Sequence, residues 1–179
     1  ADVAKAAAHL AFCRLFIGGQ VCASPKRAIV TDAVADEFIP AFVEAFGNQK
    51  MGDPLDPETT LGPLSSSVAA DGLQAQLQDA IDKGATVLLE GGRVDGPGAF
   101  FKPAVITDVT PEMRLFHEEA FGPVSVIYRV TDAEAAIELA NSSAYGLGGT
   151  VFSEDVEEAT RVAERLDNAD YRDDVLRLM

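Results

Sequence analysis

The chain has 179 residues, of which 47% are apolar, with two cysteines and a formal net charge of −15. That length and apolar share suit one domain with a sizeable core and argue against disorder. The acidic balance argues against nucleic acid, whose phosphates need clustered Lys and Arg, and no apolar run is long enough to cross a bilayer. Cys13 and Cys22 have neither metal nor redox spacing, so free thiols in a reducing, cytoplasmic compartment and no metal site are expected.

In chain order, Asp2 is a candidate N-cap for a helix running to about Phe12. The loop "FIGGQVCAS" (16–24) follows, then a short β-branched strand, "RAIVT" (27–31). Residues 34–47 place Phe38, Phe42, Val43 and Phe46 on one helical face, with Pro40 expected to kink or delay that helix. "GDPLDPETTLGP" (52–63) is a loop, followed by a polar helix near 66–83 that stops at Gly84. "TVLLEG", "PAVITDV", "VSVIYRV" and "GTVFS" read as strands, "RVDGPGAFF" as a turn, and helices are expected near 132–141 and 155–168. Strands and helices alternating this way imply an α/β fold with a mostly parallel sheet covered on both faces, a three-layer αβα arrangement.

Both ends look unlike natural boundaries. "DVAKAAAHLAF" reads as an interior helix, and "DYRDDVLRLM" is charged and weakly patterned. The chain is therefore expected to be a fragment, with residues 170–179 as an atypical tail.

Two stretches carry chemistry. In "GGQVC" the adjacent glycines Gly18 and Gly19 free the backbone to bring N–H groups close to a ligand. Cys22 at the end of that loop is either a nucleophile or a small buried hydrophobe. As a nucleophile it needs help, since only about 3% of an ordinary thiol is ionised at pH 7. Cys13 falls on the apolar side of the first helix and reads as core. In "RLFHEEAFGPVSVIY" (114–128), Glu118 and Glu119 precede an aromatic and a Gly-Pro turn that feeds an apolar strand. A carboxylate there could accept from ribose hydroxyls, with Phe121 beside a planar ring; a solvated acidic turn is the plainer alternative. His117 has no second histidine near it in sequence and reads as surface or satisfied core.

The ordered set GGQVC, "KMGDPLDPETTLGPL", "HEEAFGPV" and "NSSAYGLGGTVFS" resembles the aldehyde dehydrogenase superfamily over residues 1 to about 169. It is similar to that family's catalytic domain from just before the active-site cysteine. "KMGDP" and "VTPEMRLFHEEAFGPV" are most similar to the succinate-semialdehyde branch.

The resemblance implies that Cys22 adds to an aldehyde as a thiohemiacetal, that hydride passes to NAD or NADP, and that the resulting thioester is hydrolysed. It implies Glu119 as the carboxylate holding the nicotinamide-side ribose, Phe121 as its aromatic neighbour, Gly19 and Gln20 as loop support, and the Cys22 N–H as an oxyanion donor. Pro123 and Gly146 fit structural turns. A homo-oligomeric parent protein is implied as well.

The departures are specific. Ile17 stands where the family commonly has Asn. The family's general-base glutamate, its second oxyanion donor and its dinucleotide-binding half belong upstream of the nucleophile and are not in this sequence. Neither a Rossmann Gly-rich fingerprint nor a phosphate loop occurs. The isolated chain is therefore expected to lack dehydrogenase activity. Two alternatives stay open: a cysteine esterase or acyl-transfer activity without hydride transfer, and a non-catalytic module of the same family.

Overall fold

The computed structural model describes residues 2–167. Four strands stand side by side in the order β1 (Arg27–Thr31), β6 (Val124–Val130), β5 (Ala104–Thr107) and β2 (Thr86–Leu89). β6 pairs parallel with both β1 and β5, and β2 closes the other edge antiparallel to β5. A short ribbon of β3 (Gly92–Arg93) and β4 (Phe101–Lys102) stands apart, joined through the expected turn.

The apolar runs in β5 and β6 arise because both faces of the sheet are covered. Val105, Ile127, Ala28 and Val30 point to one side, where α1 (Val3–Leu15) and α2 (Asp32–Gly47) pack. Ala104, Ile106, Val124 and Val126 point to the other, against α3 (Ser67–Asp82) and the short α4 (Arg114–His117). α5 (Ala133–Asn141) adds Leu139 to that second side. The result is the expected three-layer, mostly parallel α/β arrangement.

Local chemistry sets the helix ends. Asp2, Ser66 and Asp132 each accept from a backbone N–H three residues on, which satisfies a donor the first turn leaves unpaired. In α2, Phe38, Phe42 and Phe46 recur every four residues and stack at 5.7 and 5.2 Å between ring centroids.

Four expectations need correction. Pro40 neither delays nor ends α2, which runs unbroken from residue 32 to 47. Pro40 lies on the exposed face, as does Asp36, so the carbonyl its ring leaves without a helical partner is on the water side. The strand expected over "GTVFS" is absent, because a cleft separates that segment from the free edge of β1 and deprives it of a ladder partner. Cys13 is half-buried at the margin of α1 with its Sγ 3.5 Å from His9 Nε2; the buried stripe is Ala7, Ala11, Arg14 and Leu15. α6 (Val156–Ala163) ends before the expected helix does, and the proposed tail 170–179 lies outside the described residues. Among the described residues no helix is long and apolar enough to cross a membrane.

Candidate active site

The loop that carries Cys22 is a left-handed turn. After α1 ends, Ile17, Gly18 and Gly19 take φ values of 51°, 65° and 75° in succession. Glycine adopts this region freely, whereas a β-branched residue there is a steric outlier. Gln20 then locks the turn: its Nε2 donates to Ile17 O at 3.1 Å and its Oε1 accepts from the Ser65 N–H at 2.8 Å. Two residues beyond the thiol, Ser24 Oγ donates to Arg14 O at 2.9 Å, closing the loop back onto the end of α1.

This loop is pressed directly against the turn that holds Glu119. A Cβ on Gly19 would lie 2.4 Å from Gly122 O, so only a bare backbone fits. Gly122 is as tight on its other side, where a Cβ would meet Leu73 Cδ2 at 2.4 Å. The seam is fastened by Arg14, whose side chain is 1% exposed. Its guanidinium donates to Ala120 O at 2.6 Å, Gly122 O at 2.5 Å and Val124 O at 2.8 Å, and reaches Ser24 Oγ at 3.2 Å. Burial lowers the Arg14 pKa to about 10, partly offset by the Glu119 charge, and leaves it a cation at neutral pH.

The adjacent carboxylates have separate environments. Glu118 is engaged by Arg114 through two 2.9 Å bonds and by Gln76 at 2.8 Å. Those donors, Arg114 foremost, hold its carboxyl below the usual range. Glu119 instead lines a cleft of about 840 Å³, and among the described residues its carboxylate accepts no hydrogen bond. Cys22 lines the same cleft and is exposed. Its amide N–H has no hydrogen-bond partner among the described residues.

Of the residues singled out in the sequence, Cys22 and Glu119 both line the cleft, and Gly19 and Gln20 shape the loop that carries Cys22. Phe121 is 43% exposed and does not line the cleft. His117 is on the surface, its Nε2 2.7 Å from Pro111 O. Sequence reasoning missed Arg14 and Lys26. A lone cation inside the apolar run "AAAHLAFCRLF" was a usable signal for the first; nothing in the sequence marked the second. Lys26 lines the cleft, and its Nζ donates to Glu118 O at 2.5 Å.

The model of the "Aldehyde dehydrogenase family" matches residues 1–171. The chain belongs to the aldehyde dehydrogenase family. Succinate-semialdehyde dehydrogenase [NADP(+)] of Deinococcus radiodurans is 58% identical over 154 residues, covering 86% of this chain and 32% of that protein. Among solved aldehyde dehydrogenases, succinic semialdehyde dehydrogenase from Streptococcus pyogenes in complex with NADP+ matches with a TM-score of 0.85 and 45% identity. That match covers 89% of this chain and 35% of the other. Betaine aldehyde dehydrogenase from Staphylococcus aureus in complex with NAD+ matches with a TM-score of 0.86 and 36% identity, covering 93% of this chain and 34% of that one. The chain thus spans about a third of the length of these relatives.

Proposed function

We propose that residues 1–169 are the nucleophile-bearing part of a catalytic domain in an NAD(P)-dependent aldehyde dehydrogenase, lacking the dinucleotide-binding half. The substrate favoured is succinate semialdehyde, because the similar proteins that bear this name reach 58% identity. The observation that carries the reading is one cleft lined by both an exposed Cys22 and Glu119, its carboxylate uncommitted.

In this reading the Cys22 thiolate adds to the aldehyde carbon, and the Cys22 N–H donates to the oxygen that gains charge. Gly19 and Gln20 hold the loop so that this amide and the thiol point at one carbon. Glu119 fits a ribose because its oxygens are free to accept two hydroxyl protons, and Phe121 lies beside the same turn. Bound NAD(P) would supply the hydride acceptor. The free thiols suit a reducing cytoplasm, and association of copies in a longer parent protein belongs to the same proposal.

The chain itself holds the nucleophile and one oxyanion donor without the family's base. We therefore expect no NAD(P) reduction from the 179 residues alone, while slow acyl transfer from an activated ester survives and disappears in Cys22→Ser.

The test is protection of the thiol. Succinate semialdehyde should slow iodoacetamide alkylation of Cys22 and leave Cys13 unaffected, as mass mapping would show. Equal protection of both thiols, or none, overturns the assignment.

A further inference from the structure

We propose that Lys26 is a carbonyl-capturing amine of the cleft, condensing through Nζ with aldehydes that enter it to form an imine with loss of water. This goes beyond the oxidation proposed above and does not require the thiol.

An amine captures a carbonyl when it faces the space where the carbonyl is held and part of it is neutral. Lys26 meets the first condition by position: it is half-buried at the entry to β1 and lines the cleft shared with Cys22 and Glu119. Its Nζ, which donates to Glu118 O at 2.5 Å, must release that carbonyl before it attacks. The second follows from the charges around it. The guanidiniums of Arg14 and Arg27 lie close by, and neither is free to swing away. Arg14 is fastened to three carbonyls, while Arg27 donates to Phe116 O at 2.7 Å and sits 4.9 Å over the Phe116 ring. Glu119 and Glu118 lie on the opposing side of the balance. Burial first, then Arg27 and Arg14, lowers the Lys26 pKa to about 8, against the partial offset of the two glutamates. At neutral pH roughly a tenth of Nζ is then free amine, against well under a thousandth for an ordinary lysine.

The step balances without an oxidant. The Nζ lone pair attacks the aldehyde carbon and the carbonyl π pair moves to oxygen, giving a carbinolamine after proton transfer. Loss of that oxygen as water leaves R–CH=N–Lys26, and the proton shed by the starting ammonium goes to solvent. The reaction is reversible, so Lys26 competes with Cys22 for aldehyde when aldehyde is scarce.

The experiment treats the 179-residue chain at pH 7 with propanal and sodium cyanoborohydride, which fixes an imine as a secondary amine, followed by peptide mass mapping. Lys26 should be alkylated at least about tenfold faster than Lys5, Lys50, Lys83 or Lys102. Its rate should level off above about pH 8, while theirs climbs towards pH 10. Lys26→Arg should remove that label alone, and Cys22→Ser should leave it in place. Labelling of Lys26 no faster than the other four, or a rate that climbs in parallel with theirs, overturns the proposal. Loss of thiol protection with Lys26 labelling intact sinks only the dehydrogenase reading, and the reverse pattern sinks only this one.

Discussion

The two sides of the cleft are built differently. On one side, the end of α1, the nucleophile loop and the Glu118–Gly122 turn meet in a seam without spare volume, where backbone touches backbone and one buried guanidinium serves three carbonyls. On the other, the free edge of β1 faces residues 146–153, which form no strand, and α6 buries none of its residues. The seam holds its geometry with groups inside this chain. The flank leaves Tyr145, Leu147 and Val156 exposed and touches the core through Phe152, which lies against His9. Positioning of the nucleophile and completion of the site are thus separable, and the substitutions below act on one side or the other.

The largest effect is expected at Arg14. Arg14→Leu removes the cation and leaves Ala120 O and Val124 O buried without their donor, while Gly122 O keeps the Val124 N–H at 2.8 Å. Each unsatisfied group costs about 1–3 kcal/mol before relaxation. A net loss of about 4 kcal/mol, read by urea denaturation, is expected. A loss under about 1 kcal/mol would show that the seam does not depend on this residue. Gly19→Ala comes next. Its methyl would meet Gly122 O at 2.4 Å, and its φ of 75° is unfavourable for any side chain. The loop must move, at a cost of about 3 kcal/mol, and Cys22 alkylation should lose its response to aldehyde.

Legibility in the sequence followed the same divide. The strands β5 and β6 and the phenylalanine stripe of α2 were readable because burial imposes a period that composition displays. Cys22 and Glu119 were singled out through the resemblance of the ordered motifs; the residues alone left Cys22 open between nucleophile and buried hydrophobe, and the paired acids open to a solvated turn. For Arg14 the apolar run around it signalled burial but not its partners, since those acceptors lie 106 to 110 residues away and no local pattern encodes them. Local pattern alone could not tell Glu118 from Glu119, which only the resemblance separated: their environments depend on Arg114 and Gln76, brought in by α4 and α3. "GTVFS" misled because its β-branched and aromatic residues favour a strand, but a strand also needs a neighbour.

Ile17 offers a smaller change of opposite sign. It takes φ 51° in the left-handed region, where Asn is tolerated and a β-branched residue is strained. That also supplies a physical reason for the Asn common at this position in the family. Ile17→Asn should stabilise the chain by about 1 kcal/mol, raising Tm by roughly 2–4 °C. An unchanged or lower Tm would mean that the 63% exposed Ile17 side chain contributes packing that outweighs the relief.

The smallest effects should come from the flank. Val156 opens α6 and is 62% exposed, so Val156→Ala should change stability by less than about 0.5 kcal/mol. Hydrogen exchange sharpens the point. Amides of 146–153 have no ladder to protect them and should exchange orders of magnitude faster than those of β6, which is paired on both sides. Protection of 146–153 equal to that of β6 would mean that the flank is already closed in this chain. The difference between the two sides of the cleft would then be one of sequence and not of stability.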